Sequence, residues 1–331
     1  MYSQLLSLLQ LATIAAAHPK TSVDDGTSRL QSRDGRCGPE FGTVCDENEC
    51  CSSAGWCGVG HLYCSAPDCQ INYGPRCDAN VRPKGPATEQ VPRPQIGNIP
   101  YGQAIYHCER YGDIALTFDD GPYIYTEDLL NLLKASIRAS HRYDAKATFF
   151  VTGNNLGKGA INDPAHSWGG LIKRMVASGH QIASHTWSHQ KLTTLSESQF
   201  RKQMYFLEVA LADLLGYFPT YMRPPYSASN DQTDGWLGEL GYHVTYFNLD
   251  TEGYLNNSPN EVQKCKDIWD KNVEGRNPQN TKWLQIEHDT IYQTVYNLTE
   301  YALKSLFRNG FRSVTVGECL GDPRENWYRW V

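Results

Sequence analysis

From about Ile105 onward, short apolar runs rich in β-branched and aromatic residues alternate with runs of helical period. The strand candidates are Ile114 to Phe118, Ala147 to Val151, Gln181 to Ala183, Thr220 to Met222, His243 to Phe247, Trp283 to Ile286 and Ser313 to Val316. The helices between them carry end signals. Ser196 with Gln199 reads as a capping box ahead of Phe200, Met204, Leu207, Leu211 and Leu214, which share one face. Another helix runs from about Val295 to Arg308 and stops at Asn309-Gly310. Seven alternating units predict an α/β fold, a (β/α) barrel with a parallel core.

The first hundred residues follow a different pattern. Leu5 to Ala17 is an apolar stretch closed by Ala15-Ala16-Ala17, which predicts a signal peptide over 1–17 and an N-terminal linker over 18–36. Eight of the eleven cysteines then fall between Cys37 and Cys77. So short a stretch cannot bury enough apolar surface by itself, so cross-links formed in an oxidising compartment must stabilise it. Zinc is the rival explanation, but the spacings lack two paired CxxC knuckles. Prolines at 83, 86, 92, 94 and 100 predict a semi-extended linker over 79–104 that gives one domain reach relative to the other.

Composition narrows the function. With 30 Lys plus Arg against 36 Asp plus Glu, a net charge of −6 and no basic block, the chain lacks a polyanion-binding signature, and no nucleic-acid partner is expected. No run reaches the roughly 20 apolar residues of a membrane span, so no transmembrane anchor is expected. A secreted monomer, extracellular or in a cell wall, is the expectation.

Cysteine arithmetic allows about 105 pairings for eight cysteines. The series Cys37, Cys45, Cys50-Cys51-Ser52, Trp56-Cys57-Gly58, Tyr63-Cys64, Cys69 and Cys77 resembles the hevein-type chitin-binding module over 37–78. That resemblance implies pairing of Cys37 with Cys51, Cys45 with Cys57, Cys50 with Cys64, and Cys69 with Cys77. It also implies Ser52, Trp56 and Tyr63 as chitin-binding residues, and the physics agrees: pyranose faces stack on aromatic planes while rim hydroxyls seek a polar partner. Ala54 stands where many members carry a further aromatic.

In the larger region, the chemically unusual residues directly follow the strand candidates: Asp119-Asp120, His185 with His189, Arg223, Asp250 and His288-Asp289. A barrel gathers strand ends on one face, where barrel enzymes place catalytic groups. His185-Thr-Trp-Ser-His189 presents two imidazoles that point the same way if the backbone there is helical. With one carboxylate they suit a catalytic divalent ion, zinc first and cobalt as the alternative. Adjacent carboxylates on a strand would point in opposite directions, but the turn at Gly121-Pro122 can bring both to one pocket. One could bind metal while the other stays free as a base.

Thr117-Phe-Asp119-Asp120-Gly-Pro122, the histidine pair, Arg223-Pro-Pro-Tyr226 and Ile286-Glu-His288-Asp289 occur in the order and spacing of the polysaccharide deacetylases, carbohydrate esterase family 4. The resemblance covers about 105–318, within a domain expected over 105–331, and implies a seven-stranded distorted barrel. By matching position it implies Asp120, His185 and His189 as metal ligands, Asp119 as general base and His288 as general acid. Arg223 would orient the base, and the Tyr226 backbone amide would help hold the oxyanion. Where members often end a strand with Asp-x-Asp-Trp, this chain reads Asn248-Leu-Asp250-Thr-Glu252-Gly-Tyr254, so Asp250 is expected to tether Arg223 and Tyr254 to face the sugar.

The expected activity is hydrolytic N-deacetylation of chitin and chito-oligosaccharides, with a deacetylase of acetylxylan or peptidoglycan, or a non-catalytic chitin-binding coat protein, as alternatives. Cys108 and Cys319 flank the first and last strands, which neighbour each other in a closed barrel, and are expected to pair. Cys265 is then a buried thiol, with an alternative pairing open. Asn297-Leu-Thr299 is a candidate glycosylation acceptor.

Overall fold

The computed structural model describes residues 30–32, 34–134, 136–137, 141–142 and 144–331. The signal peptide expected over 1–17 and most of the 18–36 linker lie outside the described residues.

The region from Ala104 onward is organised on a curled, parallel sheet of nine strands. They are β1 (Ala104–Ile105), β2 (Asp113–Asp119), β3 (Thr148–Val151), β4 (Gln181–Ser184), β5 (Tyr221–Met222), β6 (His243–Thr245), β7 (Leu249–Asp250), β8 (Trp283–His288) and β9 (Arg312–Val314). The order is β7-β8-β2-β3-β4-β5-β6-β1, with β9 paired to the first residues of β2. All seven strand candidates lie in this sheet. Two strands of two residues, β1 and β7, add to them, and no ladder joins β1 to β7, so the barrel is open along that seam.

Alternation along the strands explains the two cores. Ile114, Leu116 and Phe118 of β2, with Phe149 and Val151 of β3 and Ile182 of β4, face the helices, where Leu129, Ile172, Leu207 and Leu303 cover them. Ala115, Phe150, Ala183, Tyr221 and Leu284 face the barrel interior. With both faces buried these strands read as near-continuous apolar runs. Each buried Val, Leu, Ile or Phe side chain among them contributes about 1.5–3 kcal/mol through burial. The same alternation turns Thr117 and Asp119 inward with Ala115, so the acid at the strand's end arrives inside the barrel.

The helix Glu197–Leu215 starts at the Ser196/Gln199 capping box and ends at Gly216, whose φ of 79° is the left-handed conformation glycine adopts without steric cost. The helix expected from Val295 begins instead with a π-helical turn, Thr294–Leu298, before the α-helix Thr299–Arg308. The Thr299 hydroxyl, bonded to the Thr294 carbonyl at 2.7 Å, belongs to that wider turn. It also engages the candidate sequon: Thr299 is buried, and the Asn297 amide group bonds Gln293 and Lys266.

In the small domain, Cys37 is bonded to Cys51, Cys45 to Cys57, Cys50 to Cys64 and Cys69 to Cys77; Cys108 is bonded to Cys319, and Cys265 is a free, buried thiol. The segment after it departs from the expected spacer. Arg93 makes two hydrogen bonds of 2.8 Å to the Glu208 carboxylate and one of 2.9 Å to the Leu240 carbonyl, and Arg329 donates to the Pro94 carbonyl. The proline-rich stretch therefore lies strapped along the barrel. Prolines set its extended backbone, but a buried ion pair with a distant helix holds it down.

Candidate active site

Every residue of the expected constellation lies at or just beyond a strand's C-terminal end. Asp119 closes β2 and His288 closes β8, and the two are paired in register across the sheet. His185 follows β4, Arg223 follows β5 and Asp250 closes β7. They converge on a cavity of about 460 Å³ whose lining includes Asp119, Asp120, His185, His189 and His288.

The two aspartates reach one pocket because Asp120 takes a left-handed backbone conformation with φ of 77°. Asp and Asn tolerate that region better than other non-glycine residues. Two groups hold the turn. The Lys158 ammonium, buried, donates to the Asp120 and Gly121 carbonyls at 3.0 and 3.1 Å and to Thr152 Oγ1 at 2.9 Å. Gly121 packs so close to Asp289 that a Cβ there would lie 2.0 Å from its carboxylate oxygen. Thr126 donates to that carboxylate at 2.5 Å. Burial pushes the Lys158 ammonium down and the Asp289 carboxyl up. Lys158 carried no local sequence signal.

The histidine motif is not helical. It is a turn in which Thr186 and His189 both have positive φ, 70° and 55°, and the imidazole centroids end 5.0 Å apart. The His189 N–H donates to Thr186 Oγ1, the Ser188 N–H and hydroxyl both donate to Gln203 Oε1, and the Trp187 N–H donates to the Gln203 carbonyl. Convergence thus comes from side-chain anchors and left-handed residues in place of helical period.

One ligand atom each from Asp120, His185 and His189 lies within 4.8 Å of the others. Asp120 Oδ1 is 3.5 Å from His185 Nε2 and 3.2 Å from His189 Nε2, and this buried oxygen has no hydrogen-bond partner among the described residues. His185 Nδ1 sits 2.7 Å from the Arg223 carbonyl and donates to it, which orients the ring with Nε2 toward Asp120. Burial pushes the His189 imidazolium down to about 4, so the ring is neutral at pH 7. A buried carboxylate oxygen facing the ring nitrogens of two histidines is a donor set that fits a divalent ion.

Asp119, 1% exposed, accepts from Arg223 Nη1 at 2.7 Å through Oδ1, while Oδ2 lies 3.8 Å from His185 Nε2. The Arg223 guanidinium also donates to Thr117 Oγ1 and to the Thr245 and Tyr246 carbonyls and lies 4.1 Å from the Phe150 ring centroid. Asp250 makes no direct hydrogen bond to Arg223 among the described residues, although its negative charge acts on the guanidinium. Asp250 Oδ1 accepts instead from the Glu252 N–H at 2.7 Å, and its Oδ2 is 3.4 Å from the Tyr254 hydroxyl. The carbonyls around β6 are the anchors in its place, a partnership composition cannot reveal. Tyr226, at φ 60°, sets its ring 4.6 Å from that of His189, and Tyr254 sets its ring edge-on to His288 at 5.5 Å.

In the small domain Trp56 is 46% exposed, Tyr63 is half-buried over Gly58, and the buried Ser52 hydroxyl accepts from the Trp56 N–H. Phe41, which the sequence reading passed over, joins Trp56 in sandwiching the Arg36 guanidinium, at 4.2 and 4.0 Å from the ring centroids. The domain also touches the histidine turn. The Gln190 amide donates to the Pro67 carbonyl, the Trp187 indole to the Asp78 carbonyl, and the Gln203 amide to the Ala79 carbonyl.

Residues 108–245 match the polysaccharide deacetylase family, and residues 36–77 match the chitin recognition protein family. The chain is 40% identical over 231 residues to a chitin deacetylase of Colletotrichum lindemuthianum, covering 70% of this chain and 88% of the relative. It is 38% identical over 245 residues to a chitin deacetylase of Pestalotiopsis sp, covering 74% and 76%. Among solved structures, the Colletotrichum lindemuthianum chitin deacetylase superposes with a TM-score of 0.64 at 40% identity, over 70% of this chain and 97% of that one. A peptidoglycan N-acetylglucosamine deacetylase superposes at 0.55 with 26% identity, over 68% and 95%. With three acids, three histidines and an arginine gathered at the strand ends of a curled parallel sheet, and relatives that match over most of their own length, the chain belongs to the polysaccharide deacetylase family and carries a chitin recognition domain ahead of the catalytic one.

Proposed function

We propose that this protein is secreted and hydrolyses the N-acetyl groups of chitin, leaving glucosamine units and acetate, with Asp120, His185 and His189 holding a zinc ion. Cobalt is the alternative ion. When bound, such an ion supplies a water pKa lowered toward about 7 and polarisation of the acetyl carbonyl. Asp119 takes the proton of the attacking water through Oδ2, because Arg223 occupies Oδ1. The Tyr226 amide helps bind the oxyanion of the tetrahedral intermediate. His288, across the sheet from Asp119, protonates the departing sugar nitrogen, since an amide anion is too basic to leave. Its buried Nδ1 has no hydrogen-bond partner among the described residues. Atoms balance: water adds OH to the acetyl carbon and H to the nitrogen.

The observation that carries this reading is the split environment of Asp119, one oxygen on a buried guanidinium and the other facing the three-residue cluster. Ser52, Trp56 and Tyr63 would hold the polymer beside the cleft, which favours chitin over acetylxylan or peptidoglycan.

The test is acetate release from chitin oligomers by purified protein, with chelator, with zinc restored, and with Asp119→Asn. Activity that disappears with chelator, returns with zinc and is absent in the variant is expected. Acetate from acetylxylan or peptidoglycan but not from chitin would reassign the substrate, and none from any polymer would leave a chitin-binding coat protein.

A further inference from the structure

A cluster of four tyrosines on the catalytic domain takes no part in the site described above. Tyr125 lies edge-on to Tyr123 at 5.6 Å, to Tyr292 at 5.7 Å and to Tyr296 at 5.7 Å, and Tyr292 and Tyr296 tilt against each other at 4.6 Å, all between ring centroids. Tyr125 is half-buried against the core and anchors the group. Tyr292 and Tyr296 stay 49% and 44% exposed, and Ile124 beside them 62%. Tyr296 is fixed by donating its hydroxyl to Asp128 at 2.5 Å. A cluster serving only the core would bury its outer rings. This one holds two rings rigid at the surface, with hydroxyls and an acid at their rims.

Both segments that carry the rings run straight out of the catalytic pocket. Asp119-Asp120 continues through Gly121-Pro122 to Tyr123, and Thr290 and Ile291, which line the pocket, precede Tyr292. Along both segments the cluster therefore follows directly on residues that line the cleft. We propose that the tyrosine cluster is a stacking platform for pyranose units of the same sugar chain whose acetamido group occupies the pocket. Flat apolar sugar faces match the exposed rings, and rim hydroxyls match the tyrosine hydroxyls and Asp128. The identity of the sugar rests on the reading proposed above; the platform itself rests on the rings and their place.

The experiment compares N-acetylglucosamine dimer and hexamer as substrates for the full zinc-loaded chain, in a Trp56→Ala background that silences the small domain. Tyr292→Ala and Tyr296→Ala should each raise KM for the hexamer by about tenfold, the upper end for one aromatic contact, while the dimer keeps its kcat and KM. Tyr292→Phe, which retains the ring, should restore the hexamer value. The same hexamer is titrated calorimetrically into the chelated proteins, where no turnover occurs, and should bind more weakly to both alanine variants. An unchanged hexamer-to-dimer KM ratio and unchanged hexamer binding, in variants that melt like the parent, overturn the platform. If the unsubstituted chain releases no acetate from either oligomer, the deacetylase reading fails, and calorimetry alone still decides the platform.

Discussion

Arg223 Nη1 donates to Asp119 Oδ1 at 2.7 Å, joining two charges that are both almost completely withdrawn from water. Such a pair is tolerated because the guanidinium's other N–H groups are also bonded, to Thr117 and to the Thr245 and Tyr246 carbonyls. Arg223→Ala would strand a buried carboxylate and remove the guanidinium donors from the Thr245 and Tyr246 carbonyls. It is expected to cost about 3–5 kcal/mol in urea unfolding and to abolish acetate release. A stability loss below about 1 kcal/mol would refute the structural part of this account.

Because the unpaired Asp120 oxygen and the two imidazoles exist as a site only in the folded chain, zinc should stabilise the fold by mass action. At a free zinc concentration 100 times its dissociation constant the gain is about 2.7 kcal/mol. Melting with and without zinc checks it. The wild type should shift upward, and His185→Ala should lose the shift; an equal shift in both would place the ion elsewhere.

Arg93 and Glu208 form the strap that ties the proline-rich segment to the helix Glu197–Leu215. Glu208 is 1% exposed and also accepts from the Tyr242 hydroxyl at 2.8 Å. Arg93→Ala should therefore destabilise the protein by about 3–5 kcal/mol and speed proteolysis within 79–104. A loose spacer would show neither change.

His180, away from the site, contributes its own share of the acid dependence of stability. It is 2% exposed, its Nδ1 accepts from the Ala147 N–H at 3.2 Å, and burial, with Lys146 nearby, pushes its imidazolium down from 6.5 to about 4. Between those values the unfolded chain binds a proton that the folded chain does not. The stability His180 contributes is therefore fully present above about pH 6.5 and is lost as the pH falls toward 4, in all about 3 kcal/mol. Denaturant midpoints measured across this range in wild type and His180→Gln check it. The variant should show a shallower acid slope, and parallel slopes would remove His180 from the account.

Much of the site was legible because its parts are local. Asp119, Asp120, His185, His189, Arg223 and His288 announce themselves by residue type at the ends of apolar runs, and a parallel barrel brings strand ends together whatever lies between them. Lys158 and Phe41 were not legible, because each works through a partner distant in sequence or in the opposite wall of a small fold. The helical expectation for the histidine pair failed for a related reason. Spacing by four suits a helix, but Gln203 and the left-handed Thr186 and His189 produce the same convergence from a turn.

By itself the sequence determined the α/β alternation, the disulfide-dense small domain and the residues that meet at the strand ends, since period, cysteine density and strand position are properties of neighbouring residues. The tertiary structure decided how Arg223 is anchored, that the linker is strapped down, and that the small domain rests on the histidine turn. Those outcomes depend on which carbonyls and buried charges come within about 3 Å once the chain is folded, and hydrogen bonds of that reach carry no periodic trace along the chain.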